Sequence, residues 1–346
     1  MIAARQPIIA IVGATGAVGT ELLAVLDQRR FPCREVRLLA SARSAGSKLK
    51  FRGQALAIQE LTDRSFEGVD IAFFGAGGSI SRHFAPAALR AGTIIIDKTS
   101  AFRMDENVPL VIPEINGELL DAFEAPGIVA VPNCSTIIAL LAVWPLHQAA
   151  GVERMVVSTY QAASGAGAAA MRELEQQAHD YAAGRPLTQE VFKRPYLFNL
   201  FSHDSRVGPD GYNDEETKLV RETHKIWDDS SVAITATCVR VPVLRCHSES
   251  INLTFRKPLS EGEARELLAA APGVKVIDDR AGNRFPEPVN ACGIDDVLVG
   301  RIRADRSQAP GMGLDLFVTG DQLRKGAALN AVQIAERLIP ARVPVG

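Results

Sequence analysis

Cys134, in the run VPNCST at 131–136, is the residue of this chain that most strongly indicates chemistry. The apolar segment 137–144 that follows predicts the first turns of a buried helix. A thiol at a helix start faces unpaired backbone N–H groups and the positive end of the helix dipole, and both lower its pKa. The flanking Pro132-Asn133 and Ser135-Thr136 suit a turn and a helix start, which favours a reactive cysteine over a small buried apolar side chain.

A histidine, His247, is placed like a base, and the chain opens with a segment that is typical of nucleotide binding. A thiolate, a base and a dinucleotide together indicate hydride chemistry on an acyl thioester. A lone histidine is more often structural, although the nearby strand that carries Arg240 favours a site. Residues seven apart on a strand face opposite sides unless Pro242 marks a bulge or turn, so spacing alone does not bring Arg240 and His247 together.

The nucleotide-binding segment is a glycine-rich turn that follows the first apolar strand and opens a helix, with the spacing GxxGxxG at 13–19. Glycines there allow a tight turn and let the backbone approach a pyrophosphate on the helix N-terminus. The spacing differs from GxGxxG, so a glycine-rich turn without a ligand is the alternative. The residues of this turn that we expect to contact a dinucleotide are Gly13, Thr15, Gly16, Ala17 and Val18.

The preference between NAD and NADP depends on the end of the second strand. An acidic side chain there would bind the ribose 2′-hydroxyl and repel a 2′-phosphate, but Glu35 lies at the start of that strand. At its other end, Ser41, Arg43 and Ser44 offer one guanidinium and two hydroxyls, which suit a phosphate dianion. We therefore expect NADP, with a solvated surface arginine as the alternative.

The first 130 residues alternate apolar strands with helical segments, which predicts a Rossmann-like, doubly wound, mostly parallel sheet. Parallel strands place their carboxyl ends at one edge, where such folds bind ligands. Gly75 and Gly77, after the third strand, form a second close-approach loop at that edge. The predicted strands are 8–12, 35–40, 71–74, 93–97 and 128–131, and the predicted helices are 17–28 and 79–91.

Beyond Cys134 the pattern changes to longer strands, several of them alternating, which predicts a second α+β domain with a mixed or antiparallel sheet. The predicted strands are 155–161, 232–241, 250–255, 274–277 and 296–303. A long segment with little periodicity, 184–213, is interpreted as a subunit-contact arm. Residues 322–338 are helical by composition and are expected to pack back on the first domain. The expected domains are therefore 1–133 with 322–346, which binds NADP, and 134–321, which carries the substrate site and the oligomer contacts.

Length and composition agree with a two-domain globular protein. The chain has 346 residues, of which 47% are hydrophobic and 23% are charged. Its formal net charge of −2 gives no electrostatic footprint for nucleic acid or an anionic membrane. We expect small molecules and other protein chains as partners.

The cysteines and the N-terminal segment indicate a compartment. Five cysteines without a CxxC pair fit neither a disulfide framework nor a zinc site, so we expect no metal and a reducing, cytoplasmic setting. The apolar run 8–12 is short and leads into glycines, which is typical of a strand rather than a signal peptide. No stretch approaches the ~20 apolar residues that span a bilayer, so we expect a soluble protein.

The chain resembles the aspartate-β-semialdehyde dehydrogenase family over essentially its whole length. Each matching segment alone is weak, but eight in the family's order are specific. The resemblance implies NADPH-dependent reduction of aspartyl 4-phosphate to aspartate semialdehyde and phosphate, early in lysine, threonine and methionine synthesis, by a homodimer or homotetramer. The segments are 13–19, 41–46, 97–105, 132–136, 160–167, 213–218, 240–247 and 321–336.

The resemblance also implies catalytic roles. Cys134 would attack the acyl phosphate, expel phosphate and leave a thioacyl enzyme that accepts hydride. Asn133 would help to orient the sulfur, and Gln161 would position the substrate near it. His247 would act as the acid/base, removing the thiol proton and returning a proton when the hemithioacetal forms or collapses.

Four charged residues would bind the substrate. The resemblance assigns Arg240 to the α-carboxylate, a bidentate task that suits its planar guanidinium, and Glu215 to the α-ammonium. Arg103 and Lys218 would hold the phosphoryl group. Because Glu215 and Lys218 are three residues apart, they share a face if they lie on a helix, and an ordinary surface ion pair is the alternative.

Three further residues would lie near the cofactor: Ser164, Gly165 and, beside the nicotinamide, Gln322. The chain departs from the family at Lys98, where many members have asparagine. Cys246 adjoins His247 and is the rival nucleophile, although its strand-like run favours a core position.

Three other functions compete with this interpretation. An N-acetyl-γ-glutamyl-phosphate reductase performs the same chemistry on a longer acylated substrate but has no free α-ammonium for Glu215. Glyceraldehyde-3-phosphate dehydrogenase has a Ser-Cys-Thr-Thr run that is absent from this chain. A non-catalytic relative would be expected to lose the nucleophile or the base, and this chain retains Cys134, His247, Arg240 and Arg103.

Overall fold

The computed structural model describes residues 6–339. These residues form two compact units. The first comprises the described residues 6–132 and 327–339, and the second comprises 133–326. Residues 1–5 and 340–346, which belong to the expected first domain, lie outside the described residues.

The first unit contains a seven-stranded sheet. Its strands are β1 (Ile8–Val12), β2 (Glu35–Ala40), β3 (Lys48–Phe51), β4 (Gln54–Glu60), β5 (Ile71–Phe74), β6 (Ile94–Asp97) and β7 (Ile128–Ala130). Their order is β3-β4-β2-β1-β5-β6-β7, and every neighbouring pair is parallel except β3 with β4. All five residues of β1 are buried, as expected for a strand covered on both faces. The predicted doubly wound, mostly parallel fold is therefore confirmed.

The helices of the first unit are α1 (Ala17–Gln28), α2 (Gly78–Arg90), α3 (Pro113–Asn116) and, from the end of the chain, α9 (Leu329–Leu338). The bounds predicted for α1 are confirmed, and α2 begins and ends one residue before its predicted bounds. Helix α9 packs against α1 and β6 within the same unit.

The second unit contains another seven-stranded sheet. Its strands are β8 (Val152–Gln161), β9 (Phe201–Ser202), β10 (Ala233–Arg240), β11 (His247–Phe255), β12 (Val274–Val276), β13 (Val297–Ala304) and β14 (Gly313–Gly320). Their order is β12-β13-β14-β11-β8-β10-β9. The pairs β8/β10 and β12/β13 are parallel and the others are antiparallel, so the sheet is mixed. The sequence patterns missed β9 and β14.

The helices of the second unit are α4 (Cys134–Ala150), α5 (Ala168–Ala182), α6 (Asp214–Trp227), α7 (Glu261–Ala270) and α8 (Pro288–Ala291). Positions 135–143 of α4 are all buried, as expected for a helix that is apolar on every side. Helix α4 packs against β8, β11 and β14, the centre of the sheet. Its N-terminus is therefore held by the core of the unit.

The long segment 184–213 is tied to α5 by hydrogen bonds. Glu173 accepts the backbone N–H of Val191 at 2.6 Å, and Gln177 accepts those of Tyr196 and Leu197 at 2.9 and 2.8 Å. Phe198, in the same segment, is 74% exposed. Buried side chains of α5 thus hold a segment that presents an aromatic ring at its surface.

The predicted helix 322–338 is wrong at its start. Gln322 and Leu323 lie in a turn, and Arg324–Ala328 form a π-helix before α9 begins at Leu329. A π-helix has i→i+5 backbone hydrogen bonds in place of i→i+4 and, although rare, is frequently found at functional sites. Among residues 6–339, no helix combines the length and the apolar character that a membrane span requires.

Candidate active site

Cys134 is the first residue of α4, as the sequence predicted. Asn133 caps this helix, because its Oδ1 accepts the backbone N–H groups of Ser135 and Thr136 at 2.9 and 3.4 Å. Cys134 is partly exposed, whereas the residues that follow it are buried. The helix therefore presents its positive end and one accessible thiol at the same point, where a negative charge on sulfur is favoured.

Asn133 also joins the start of α4 to α6. Its Nδ2 donates to Glu215 Oε1 at 2.8 Å, and its backbone N–H donates to Glu222 Oε2 at 2.6 Å. Both glutamates are buried. Asn133 is thus a structural link at the cysteine, held by two carboxylates of a second helix.

Gln161, the last residue of β8, is buried beside the same carboxylate. Its Nε2 lies 3.1 Å from Ser135 Oγ, 3.3 Å from Thr159 Oγ1 and 3.2 Å from Glu215 Oε1. Its Oε1 accepts from Arg240 Nη1 at 3.5 Å. The amide therefore connects the start of the cysteine helix with two of the four predicted substrate-binding residues, Glu215 and Arg240.

Glu215 and Lys218 share a face of α6, and Lys218 Nζ lies 3.1 Å from Glu215 Oε2. Glu215 is buried, so the pair is not an ordinary surface ion pair. Burial alone would raise the pKa of Glu215, but Lys218, His203 and the hydrogen bond from Asn133 outweigh it and lower the pKa to about 2. Glu215 is therefore a carboxylate at neutral pH.

Arg240, the last residue of β10, is only 3% exposed. Its Nε donates to Asp204 Oδ1 at 2.8 Å, and its Nη1 lies 3.4 Å from the carbonyl oxygen of Ala162. Burial alone would raise the pKa of Asp204, but the guanidinium outweighs it and lowers that pKa. The guanidinium is thus oriented by partners on several sides.

His247, the first residue of β11, is fully buried. Its Nδ1 accepts the backbone N–H of Ala162 at 3.0 Å. Because an amide N–H only donates, the neutral ring carries its hydrogen on Nε2.

Gly165 is the point where His247 and Arg240 meet. A Cβ at this position would lie 2.9 Å from His247 Nε2 and 3.0 Å from Arg240 Nη1. The two side chains belong to strands on either side of β8, in the order β11-β8-β10. The structure therefore brings together two residues that their spacing could not place.

Gln322 and Gly326 complete the surroundings of the cysteine. Gln322 donates through Nε2 to Ser164 Oγ and accepts the backbone N–H of Cys246 at 2.9 Å. Gly326 lies in the π-helix, where an added Cβ would be 2.9 Å from Cys134 Cβ. The π-helix therefore packs closely against the cysteine.

Three further ionisable residues of this unit, His203, Asp204 and Glu249, were not predicted from the sequence. His203 and Asp204 follow β9, and burial together with Arg240 lowers the pKa of His203. Glu249 is fully buried two residues after His247, and burial raises its pKa well above the ordinary value, with the Ser135 hydroxyl opposing the shift. An acidic residue inside an otherwise apolar strand was the available signal for Glu249.

The predicted cofactor residues at the edge of the first sheet follow three parallel strands. The turn after β1 needs glycine, because Gly13 has φ +90° and a Cβ there would lie 3.1 Å from the backbone N of Ala76. A Cβ at Gly19 would collide with the Gly13 carbonyl oxygen. Gly16 caps α1, and Thr15, Ala17 and Val18 lie in the same turn and first helical turn. The N–H groups of Gly13 and Gly16 donate to the carbonyl oxygens of Leu39 and Gly13 at 2.9 and 3.0 Å, so an anion here would bind the first N–H groups of α1.

The segment after β2 forms a 3₁₀ turn over Ala42–Ser44, capped by Ser41. Arg43 is exposed. Glu35, at the opposite end of β2, is paired with Arg37 at 2.7 Å. Gly75 and Gly77 follow β5, and Gly77 precedes the first residue of α2.

Arg103 lies in the first unit, whereas the other predicted substrate-binding residues lie in the second. It is 6% exposed and donates from Nε to the Val131 carbonyl at 2.9 Å and from Nη2 to the Lys98 carbonyl at 2.8 Å. Its guanidinium therefore holds the segment that leads toward the cysteine. The predicted residues that the second unit contains are Asn133, Cys134, Gln161, Ser164, Gly165, Glu215, Lys218, Arg240, His247 and Gln322.

Two family models match the chain. Residues 8–123 match the semialdehyde dehydrogenase NAD binding domain, and residues 143–325 match the semialdehyde dehydrogenase dimerisation domain. Each match falls within one of the two compact units.

Similar proteins cover nearly the whole chain. The aspartate-semialdehyde dehydrogenase of Synechocystis sp. is 52% identical over 96% of this chain and 97% of its own length, and that of Bacillus subtilis is 45% identical over 95% and 96%. The crystal structure of aspartate semialdehyde dehydrogenase II from Vibrio cholerae complexed with ASA is 42% identical, covers 96% of this chain and 98% of its own, and has a TM-score of 0.93. The resemblance inferred from the sequence is thereby confirmed, and the chain belongs to the aspartate-semialdehyde dehydrogenase family.

Proposed function

We propose that this chain reduces aspartyl 4-phosphate to aspartate 4-semialdehyde with NADPH, in the biosynthesis of lysine, threonine and methionine, and that it runs the reverse, phosphate-dependent oxidation of the aldehyde. One observation carries the proposal: an accessible cysteine begins a buried helix in the unit that also holds Gln161, Arg240 and His247. The 52% identity to an aspartate-semialdehyde dehydrogenase supports the choice of substrate.

Cys134 performs the acyl transfer. Its sulfur attacks the acyl carbon, the C–S bond forms, the C–O bond to phosphorus breaks, and phosphate leaves with the electron pair. The N-terminus of α4 stabilises the thiolate that starts this step. The result is a thioester on Cys134, which activates the carbonyl carbon toward hydride.

His247 acts on the oxygen of the reacting carbonyl. With Nδ1 engaged by Ala162, the neutral ring offers the Nε2 hydrogen as a donor. A fixed donor that faces a developing negative charge is an effective form of catalytic stabilisation. The hydrogen bond favours this role over the removal of the thiol proton that the family resemblance implied.

The charged residues bind the ends of the substrate. Arg240 binds the α-carboxylate, and Glu215, which is ionised at neutral pH, binds the α-ammonium. Lys218 and Arg103 bind the phosphoryl group. Gln161, hydrogen-bonded to Glu215 and within reach of Arg240, positions the substrate at the sulfur, and Asn133 holds the helix start that carries it.

The residues of the first unit fit a dinucleotide, because the glycine turn after β1 leads directly into α1, whose first N–H groups have no partner within the helix and suit a pyrophosphate. Gly13, Gly16 and the start of α1 would hold the pyrophosphate, and Arg43 would bind a 2′-phosphate. When bound, the nicotinamide supplies the hydride. Further cofactor contacts are assigned to Thr15, Ala17, Val18, Ser41, Ser44, Gly75, Gly77, Ser164, Gly165 and Gln322.

We assign cofactor binding to residues 1–133 with 322–346, and substrate binding and subunit contacts to 134–321. The second unit matches a dimerisation domain, and the segment 184–213 carries the exposed Phe198 and Leu200. These features support a homodimer or homotetramer. We assign the protein to the cytoplasm because its five cysteines form no disulfide framework.

The reverse reaction tests the proposal. Purified protein should reduce NADP⁺ when both aspartate semialdehyde and phosphate are present, and the rate should vanish when phosphate is omitted. Cys134→Ala should abolish turnover while NADP affinity changes by less than about tenfold, or ~1.4 kcal/mol. Cys33→Ala, in the other unit, is the control and should keep its rate. Turnover of N-acetylglutamate semialdehyde or glyceraldehyde 3-phosphate, without turnover of aspartate semialdehyde, would contradict the proposal.

A further inference from the structure

Two thiols that the proposed reaction does not use lie side by side next to His247. The sulfurs of Cys246 and Cys292 and a carboxylate oxygen of Asp321 all lie within 4.8 Å of one another. Cys246 ends the turn between β10 and β11, and Cys292 directly follows α8. Both are unbridged thiols in this structure.

The oxygens of Asp321 are already engaged, which argues against a metal site. Oδ2 accepts from Arg245 Nε and from the Gly293 backbone N–H, both at 2.8 Å, and Oδ1 accepts from the Leu323 backbone N–H at 3.1 Å. A structural zinc needs four ligands, and this cluster offers two sulfurs beside a guanidinium. The cluster is therefore better suited to thiol chemistry.

The two thiols differ in access. Cys292 is exposed, whereas Cys246 is fully buried. Burial, followed by the charge of Asp321, raises the pKa of the Cys246 thiol well above its usual range. A dissolved oxidant therefore meets Cys292 first, and Cys246 can react only from inside the protein.

We propose that Cys292 and Cys246 form a reversible intramolecular disulfide through exchange with a small-molecule disulfide such as oxidised glutathione. The Cys292 thiolate attacks one sulfur of the small disulfide, which forms a mixed disulfide and releases one small thiolate. The Cys246 sulfur attacks the Cys292 sulfur, which releases the second small thiolate, and the proton of the Cys246 thiol passes to that thiolate. Two protein thiols are oxidised by two electrons, and one small disulfide is reduced to two thiols.

The bond would change the surroundings of His247. A disulfide requires about 2.05 Å between sulfurs, so the chain at Cys246 must move unless Cys292 alone can approach. Cys246 has φ +77°, precedes His247 directly and donates its backbone N–H to Gln322 at 2.9 Å. A shift at Cys246 is therefore transmitted to the imidazole and to Gln322. The effect on turnover rests on the proposed function, whereas the disulfide itself does not.

Peptide mapping tests the bond. The intact protein is incubated with oxidised glutathione, alkylated without reduction and digested with trypsin. Cleavage at Arg245 and Arg256 releases Cys246, and cleavage at Arg284 and Arg301 releases Cys292, so the disulfide appears as 246–256 joined to 285–301. The joined peptide should disappear after reduction. Separate peptides, with glutathione or the alkylating agent on Cys292, would overturn the proposal.

Activity in the reverse assay tests the consequence. Oxidised wild type should lose kcat/KM by about tenfold or more, because small displacements of catalytic groups have effects of that size, and reduction should restore it. Cys292→Ser cannot form the disulfide but keeps Cys134. Its smaller loss of kcat/KM after the same treatment therefore measures direct oxidation of the nucleophile. Equal losses in both proteins would overturn the effect on His247. Wild type that is inactive before oxidation would refute the proposed function, and the peptide map would still decide the disulfide.

Discussion

The backbone N–H of Ala162 donates to Nδ1 of His247 at 3.0 Å, and this hydrogen bond determines which ring nitrogen carries the proton. In the neutral ring that nitrogen is Nε2. A doubly protonated ring would set the Nδ1 hydrogen against the amide hydrogen of Ala162. In that tautomer His247 is suited to donate a hydrogen bond from Nε2.

His247→Gln should therefore retain more activity than His247→Ala. Glutamine still offers an N–H donor but has no nitrogen that titrates near neutral pH, whereas loss of one oxyanion donor costs about 10²–10³-fold in kcat. The measurements are kcat of the reverse reaction and, separately, the pH dependence of Cys134 alkylation by iodoacetamide. If His247 does not remove the thiol proton, alkylation should follow the same pH curve in wild type and His247→Gln. A curve displaced to higher pH in the variant would instead identify His247 as the base.

Local patterns predicted the first unit well. The strands β1, β2 and β5 have the predicted bounds, because each contains apolar residues that lead up to a glycine or polar turn. The hairpin β3–β4 was missed since most of its side chains are exposed, and its alternation is too polar to be recognised. The pattern of apolar residues in the sequence therefore identifies strands that are buried and misses strands that are exposed.

The sequence predicted only those parts of the site that are formed by residues close together in the chain. Cys134 and Asn133, the N-cap of α4, were predicted because the start of a helix depends on residues that are neighbours in the sequence. Arg240 and His247 lie close together because of the order of the strands around β8, and this order cannot be deduced from their spacing in the sequence. The same holds for the link from Asp204 to Arg240, whose residues lie 36 positions apart.

Two buried glutamates should affect stability with opposite dependence on pH. Burial raises the pKa of Glu249 well above 4.5, so its stabilising contribution is present below pH 4.5 and is lost as the pH rises toward its folded pKa. Glu249→Gln, which is neutral at every pH, should therefore unfold at a higher temperature than wild type at pH 7. The advantage should shrink toward pH 4. Thermal unfolding followed by circular dichroism across this range measures it, and a variant that is less stable at pH 7 would contradict the prediction.

Glu215→Gln is the matched comparison. The pKa of Glu215 is about 2, against an ordinary value of 4.5, so its contribution is present above pH 4.5 and is lost as the pH falls toward 2. The difference between these two pKa values corresponds to roughly 3 kcal/mol of folding free energy at neutral pH. The variant should unfold at a lower temperature than wild type at pH 7, with the difference shrinking in acid. If both variants unfolded at higher temperature than wild type at pH 7, or both at lower temperature, the charges of the two glutamates would not control the change in stability.

Arg43→Ala should weaken NADP binding far more than NAD binding. The exposed guanidinium follows β2 at the edge where the glycine turns lie, and a phosphate dianion gains from a charge-assisted contact that a hydroxyl cannot match. Fluorescence titration with each cofactor gives the two affinities. Arg34→Ala removes an exposed arginine before the opposite end of β2 and should change neither. Equal losses for NADP and NAD in Arg43→Ala would remove the 2′-phosphate assignment.

Gly165→Ala and Gly326→Ala should both impair catalysis while the protein stays folded. A Cβ at Gly165 would meet His247 Nε2 at 2.9 Å and Arg240 Nη1 at 3.0 Å, and one at Gly326 would meet Cys134 Cβ at 2.9 Å. Because the second sheet and α4 hold these partners, the added methyl must displace them. We expect kcat/KM to fall by about 100-fold, the loss typical of a displacement near 1 Å.

Gly262→Ala is the control, since a Cβ in that turn of α7 would meet only Ser260 Oγ, at 3.9 Å. Alanine is a better helix former than glycine by about 1 kcal/mol, so this variant should be fully active and at least as stable as wild type. Full activity in Gly165→Ala would mean that His247 and Arg240 can separate without loss. They would then not need the close packing at Gly165 that positions them in this structure.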